Sequence, residues 1–460
     1  MPVKPPDQVH LSELLGAMSY ALDLTEGQPV GHSVRATWIG LQLGRALDLS
    51  ERELWELYYT VMLKDLGCSS NAARICELYL SDDLSFKRDF KTMGDSLPQV
   101  LSFVFSHTGL GAGLAERLRA TFNILKNGGV IVDDLIRTRC HRGAAIAAHL
   151  RFPVGVSDGI HALDEHWDGK GRPDQLAGLQ IPIYARIALL AQVVDVFHTS
   201  SGPEATLAEV QQRSGTWFDP DVVRVFQGLA TDTFWKDLAA PGLEQRLIEQ
   251  EPPHSQPIDD DYLDDIARAF AQIVDSKSPF TSGHSERVAV YADLIAGEYG
   301  LSLERRRWLQ RGALLHDIGK LGVSNSILDK NGKLAESEWQ EVRRHPELSE
   351  EILRRVPVFK DLAHIGGGHH ERLDGRGYPR GLAGADIPLE TRIVSVADVF
   401  DALTADRPYR AAMTSGAALD IMRADLDTAF DPACLAALER ALAKLEDGEA
   451  TADPFERLAS

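Results

Sequence analysis

The sequence predicts an all-α protein made of two tandem helical bundles, on three observations: helical periodicity, scarce strand signals and an internal repeat. LSERELWELYYTVMLKDLG, YLDDIARAFAQIVDS, HSERVAVYADLIAGEYG and LSLERRRWLQRGALLHDIGK each return apolar residues at three- and four-residue steps. Each has Ser, Thr or Asp near its start as a helix cap. β-Branched alternation is rare, and no Asn-Gly turn separates two alternating runs. GHSVRA at 31–36 echoes GHSERV at 283–288, and KDLG at 64–67 echoes HDIG at 316–319 at the same offset of 252. HWDGKGRPDQLAGLQIPIYARI then echoes RLDGRGYPRGLAGADIPLETRI at an offset of 206, and FDP at 218–220 echoes FDP at 430–432. Order is preserved, with an insertion of about 46 residues in the first copy, so the chain reads as one domain written twice.

The seam is EPPHSQPIDDD at 251–261, rich in Pro and acid, which reads as a linker. The expected organisation is a first domain over 1–250, that linker, a second domain over 262–445 and a tail over 446–460. A length of 460 residues agrees, being too long for one ordinary core. Hydrophobic residues make up 44% of the chain, too many for a disordered protein.

Charge and cysteine usage narrow the function. The net charge is −20, from 68 acidic and 48 basic residues. That argues against a sequence-independent grip on DNA or RNA, which needs a basic surface to displace counterions. It leaves room for a small nucleotide held by metal ions. MPVKPPDQVH has no apolar core of a signal peptide. Ile181–Phe197, the best membrane candidate, is broken by Arg186 and Asp195 and falls short of the ~20 apolar residues a span requires. The expectation is a cytoplasmic protein without a membrane segment. Cys68, Cys76, Cys140 and Cys434 lack CxxC spacing, which suits buried thiols in a reducing compartment. A metal site here must come from His and Asp.

His284, His316, Asp317, His345, His369, His370 and Asp398 form such a set in the second copy. Five imidazoles and two carboxylates suit two adjacent divalent ions among Fe, Mn, Zn and Ni, while the missing thiolate disfavours a structural zinc. His316 and Asp317 are consecutive at the end of an apolar helix, so a carboxylate bridging two ions can sit beside an imidazole that binds one. Lys320 follows Asp317 by three residues on the same helical face, where an ammonium meets a phosphate oxygen or a leaving alkoxide. Lone histidines such as His254 and His364 read as surface or core residues. An adjacent His-Asp pair alone is equally ordinary; the ordered set, with His369-His370-Glu371 behind three glycines, is what points to metal.

The order HDIGK, HPE, HHERLDGRGYP and ADVFDALTADRPYR resembles the HD-GYP family of HD-domain phosphohydrolases, over roughly residues 262–445. The resemblance implies hydrolysis of cyclic di-GMP to pGpG or GMP at a two- or three-metal centre, with iron or manganese as the ions. It implies that the seven residues above are the ligands and that Asp317 and Lys320 take part in catalysis. It also implies that Arg407 and Arg410 meet the substrate phosphates by forked hydrogen bonds. The signature loop runs Asp374-Gly375-Arg376-Gly377-Tyr378-Pro379; Asp374, Gly377, Tyr378 and Pro379 are its expected substrate-side residues, and a GGDEF-type synthase is an implied partner. Three-metal members carry a Glu four residues before the first His. Phe280 stands there, so two ions are expected. Ser349 replaces a usual Gly.

Read through the repeat, the first copy keeps His32, Asp65 and His141 but has Lys64 for His316, Leu163-Asp164 for His369-His370 and Gln192 for Asp398. Cys68 stands for Lys320, Arg172 for Tyr378, and Ser201 and Glu204 for the two arginines. An ammonium at Lys64 can replace the missing cation beside Asp65. This copy is expected to bind no metal and to act as a regulatory or dimerising module; a homodimer is compatible with that reading. Two other functions compete with cyclic di-GMP hydrolysis. One is hydrolysis of another cyclic dinucleotide or nucleotide ester. The other is a non-enzymatic switch that binds the dinucleotide or its synthase.

Overall fold

The computed structural model describes residues 10–91, 97–109, 113–254, 257–406 and 411–446. Among them no strand forms; β-pairing is limited to isolated bridges such as Asp374 with Ala383. The chain separates into two compact units, one within 5–259 and the other within 260–460. No helix among the described residues is long and apolar enough to cross a membrane.

The first unit opens with the helices Leu11–Thr25, His32–Ala46 and Glu51–Met62. Ser50 starts the third, its hydroxyl accepting from Glu53 N while Glu53 accepts from Ser50 N, which satisfies two free helix-end donors. That helix buries Trp55, Tyr58, Tyr59 and Val61. Residues inserted relative to the second copy form the short helices Ala72–Tyr79 and Asp83–Phe90 and the start of the long helix Leu114–His149. They build a satellite core around Ile75, Tyr79, Phe86, Phe103 and Ile124. The helix Ile183–Arg213 is broken at Gly202, whose φ is 81°. Residues 251–254 pack on this unit: Glu251 accepts from Ser12 Oγ at 2.6 Å, and His254 stacks on Trp55 at 3.8 Å between ring centres.

In the second unit the helices that matter for the site are Asp260–Asp275, His284–Glu298, Leu303–Leu315, His345–Arg355 and Leu389–Thr404. The repeat seen in the sequence is a repeat in geometry. Gly283 at φ 67° turns the chain into the His284 helix, and Asp275 accepts from Ser285 N and Oγ at 3.0 and 2.7 Å. Gly31 at φ 83° does the same before His32, with Asp23 accepting from Ser33 N and Oγ at 2.9 and 2.7 Å. Gly319 lies so close to the start of the His345 helix that a Cβ there would stand 2.0 Å from His345 O and 2.6 Å from Ser349 N. Gly67 meets Arg139 O and Gly143 N at 2.0 and 2.8 Å in the same way. Glycine is required at both crossings because no side chain fits.

That crossing corrects one sequence pairing. The residue of the first unit standing where His345 stands is Arg139, not His141. His141 is exposed on the long helix, its ring against His161 at 4.8 Å between centres.

Candidate metal centre

The helix Leu303–Leu315 delivers His316 and Asp317 at its end, and the turn after them returns Lys320 to Asp317. The other ligand-type residues arrive at helix starts and turns: His284 and His345 open their helices, and His369 and His370 follow the Gly366–Gly368 turn. Asp398 comes from the middle of Leu389–Thr404. All seven converge. His284, His316 and Asp398 form one cluster, His345, His369 and His370 another, and His316, Asp317 and His369 a third that joins them.

Asp317 stands between the two sides. Its Oδ2 lies 3.6 Å from His284 Nε2 and 3.3 Å from His316 Nε2. Its Oδ1 lies 3.3 Å from His345 Nε2 and 3.6 Å from His369 Nε2. Asp398 Oδ1 is 3.3 Å from His284 Nε2. The rings are oriented by their far nitrogens. His316, His345 and His369 direct Nδ1 to the carbonyls of Ala313, Val342 and Gly366 at 2.6, 2.6 and 2.9 Å, and His284 directs Nδ1 to Asp401 at 2.7 Å. A carbonyl only accepts, so Nδ1 carries the proton and Nε2 of the neutral ring turns its lone pair to the centre.

This arrangement tests the fit of a metal directly. Nε2 atoms and carboxylate oxygens crowd together, with Lys320 donating to Asp317 Oδ2 from one side, and His345 Nε2 faces His369 Nε2 at 3.3 Å. Nε2 of His284, Nε2 of His316 and Oδ1 of Asp317 are buried without a hydrogen-bond partner. Orphaned buried acceptors are costly unless something positive joins them. Divalent cations fit, and the backbone and carboxylate anchors on Nδ1 are the outer partners that metal-binding imidazoles use.

The pKa of each group follows from burial set against the charges that face it. Burial opposes charge on Asp317, yet His316 and Lys320 hold its carboxyl well below the usual range. Burial opposes charge on His284 too, but Asp317, Asp398 and Asp401 outweigh it and raise its pKa well above the ordinary value. His345 is pushed down to about 4, mainly by burial. Burial, then His369 and His345, push His370 well below its ordinary value.

The signature loop borders the centre unevenly. The Tyr378 ring stacks on His370 at 4.8 Å between centres. Gly377 passes so close to the chain that a Cβ would stand 2.4 Å from Arg372 N. Asp374 is engaged within the loop, accepting from Arg376 N at 2.9 Å and pairing with Arg372 at 3.3 Å, while Pro379 is half-buried. Glu371 ties the loop together by accepting from Arg380 N and Leu382 N at 2.7 and 2.9 Å. Ser349, the departure from a usual Gly, accepts from Gly319 N at 2.9 Å. Arg407 and Arg410 lie outside the described residues.

Sequence reasoning missed Asp401 and Arg287. Arg287 Nε donates to Asp401 Oδ1 at 2.6 Å, so a charged pair stands behind His284. The signal was available: Arg35 and Asp195 keep both residues in the copy that lost the ligands. A cavity of about 700 Å³ also opens beside His284, Asp317 and Lys320. No short motif announces it.

The HD-domain family profile matches residues 119–222 and 268–434. The chain is 54% identical to a 3'3'-cGAMP-specific phosphodiesterase 3 of Vibrio cholerae, over 95% of each protein. It is 42% identical to a cyclic di-GMP phosphodiesterase response regulator of Xanthomonas campestris, over 45% of this chain and 54% of that one. Among solved structures it matches a cyclic GMP-AMP specific phosphodiesterase of V. cholerae with a TM-score of 0.65 and 49% identity, covering 95% of this chain and 99% of that one.

Proposed function

The chain belongs to the HD-domain family, in its HD-GYP branch, and is a phosphodiesterase of cyclic dinucleotides; we propose that its preferred substrate is 3'3'-cGAMP. The single observation that carries the chemistry is the Asp317 carboxylate with imidazole Nε2 atoms facing each of its oxygens. His284, His316 and Asp398 would hold one ion, and His345, His369 and His370 the other, with Asp317 shared between them. Two ions held so would lower the pKa of a water towards ~7 and neutralise the non-bridging phosphate oxygens. Phe280, with no donor atom, supports two ions over three.

The chain's own groups do the rest. Lys320, 22% exposed and paired with Asp317, is the ammonium placed to meet a phosphate oxygen or the departing 3'-alkoxide. Asp401 and Arg287 hold the His284 ring in one orientation. Tyr378 covers His370 on its open face. Hydrolysis adds water across one P–O bond and opens the ring to a linear dinucleotide. The preference for 3'3'-cGAMP is supported by the relative of that specificity along 95% of the chain. Cyclic di-GMP is the second reading, supported by the Xanthomonas relative over a shorter stretch. The first unit is proposed to bind no metal and to serve as a regulatory or dimerising module.

Turnover of both dinucleotides by anaerobically purified protein with Fe(II) or Mn(II) tests this. A kcat/KM at least about tenfold higher for 3'3'-cGAMP is expected, which corresponds to ~1.4 kcal/mol of discrimination. Asp317→Ala is expected to lower turnover by a factor on the order of 10³ and to reduce bound metal. Equal use of both substrates removes the proposed preference. Metal bound at two ions per chain without turnover of either removes the substrate reading.

A further inference from the structure

The cavity beside the centre is lined by two chemically different sets of groups. Asp317, His284 and Lys320 form one. The other includes Leu334 and, three residues apart on one face of the short helix Glu336–Arg343, Trp339 and Val342. Phe280 lines the same cavity. Trp339 is 42% exposed, and its helix buries none of its residues. That helix is held by polar contacts instead: Ala335 N donates to Glu338 at 2.6 Å, and Lys330 Nζ donates to the same carboxylate at 2.6 and 2.7 Å. The indole is half-exposed, with the Arg343 guanidinium of the same helix 5.8 Å from its ring centre. It is well placed to receive a flat ligand.

We propose that Trp339 is the nucleobase platform of this cavity, stacking one purine of the substrate while the adjoining phosphodiester lies at Asp317 and Lys320. A ligand that satisfies both sets of groups at once must join an anion to a flat apolar group, as a nucleotide does. Stacking is tolerant of base identity because every base offers a π-face, so Trp339 sets affinity and position, and choice between purines falls to other groups. The assignment deepens the phosphodiesterase reading and rests on it.

The test is kinetic and direct. Trp339→Ala is expected to raise KM for the cyclic dinucleotide about 5- to 150-fold with kcat little altered, and Trp339→Phe to restore most of the loss. The ratio of kcat/KM for the dinucleotide to that for the purine-free diester bis(p-nitrophenyl) phosphate is expected to fall by the same factor. A general loss of structure would lower both rates together and would not be rescued by Phe. The chelated full-length protein gives a second reading by saturation-transfer NMR. AMP and GMP are expected to bind more weakly to Trp339→Ala than to the wild type, while ribose 5-phosphate is not. If the wild type cleaves neither dinucleotide, the substrate reading falls and the platform is judged on that binding alone. Unchanged KM, or unchanged AMP and GMP affinity, overturns the platform.

Discussion

The two units share one frame and fill its centre with opposite solutions. Behind His284, Asp401 lies 2.7 Å from Nδ1 and accepts from Arg287 Nε at 2.6 Å; behind His32, Asp195 lies 2.7 Å from Nδ1 and accepts from Arg35 Nε at 2.5 Å. In front of them the contents diverge. The second unit gathers Asp317 and Asp398 with imidazoles whose Nε2 lone pairs are left over. The first has Lys64 in place of His316, with its ammonium on Asp65, and Gln192 in place of Asp398. Lys91 reaches in from the inserted segment, 2.9 Å from Glu26 and 3.7 Å from Asp65. The histidines register the difference: carboxylates raise His284, whereas burial and then Lys64 lower His32. In the first unit the buried Asp65 is paired with an ammonium, as a buried carboxylate requires.

The largest expected effect attacks that replacement. Lys64→Met leaves Asp65 short of one ammonium in a buried place and is expected to cost about 3–5 kcal/mol. Urea unfolding followed by tryptophan fluorescence reads it, since Trp38, Trp55, Trp167, Trp217 and Trp235 lie in the first unit and only Trp308 and Trp339 in the second. A cost below about 1 kcal/mol, the range of an exposed pair, would break the comparison. Glu26, Asp65 and Cys68 also lie close enough together to hold an ion. Lys91 already occupies their carboxylates, and burial pushes the Cys68 thiol well up, away from the thiolate a metal needs. The first unit of the full chain is therefore expected to stay metal-free even in Lys64→Met.

A somewhat smaller effect follows from acid. Burial opposes charge on Glu26, but Lys91, Lys87 and Arg139 together outweigh it and bring its pKa from 4.5 to about 2. The unfolded chain takes up this proton first, so the contribution is full above about 4.5 and disappears as pH falls towards 2. Its ceiling is on the order of 3 kcal/mol. Glu26→Gln should unfold with less dependence on pH between 5 and 3 than the wild type, both chelated and followed by tryptophan fluorescence. Equal slopes would remove Glu26 from the replacement network. Ser278, its counterpart by the repeat, has no charge to titrate.

Much of this was legible in the sequence, for a physical reason. Helical periodicity and an ordered repeat are local, so the all-α fold and its tandem plan could be read from the chain. The seven ligand-type residues sit in short contiguous motifs, and their convergence needed no knowledge of distant contacts. Asp401 and Arg287 were missed because a residue that supports a ligand carries no motif of its own. The pairing of His345 failed by two residues, since it depends on where two backbones cross at Gly67 and Gly319. Lys91 and Glu26 could not be placed: Lys91 belongs to an insertion with no counterpart in the second unit. Trp339 on a short amphipathic helix looks like any core tryptophan until its exposure is known.

The smallest effect is the sharpest comparison, because it changes the same group in both units. Asp401 accepts from His284 Nδ1 and from Arg287, and Asp195 accepts from His32 Nδ1 and from Arg35. Asp401→Asn keeps an oxygen for the imidazole but removes the charge that makes Nε2 a stronger donor to a cation. Metal affinity is expected to fall about 10- to 100-fold, with turnover recovering at high metal concentration. Asp195→Asn leaves Arg35 without its carboxylate; if the first unit holds no ion, as proposed, it should lower stability and leave metal content as it was. Metal titration of both variants, with bound ions counted against the wild type, separates the two outcomes. If Asp195→Asn also loses metal, the first unit holds an ion after all. If Asp401→Asn binds metal as tightly as the wild type, the shared relay serves folding in both units and its retention carries no functional meaning.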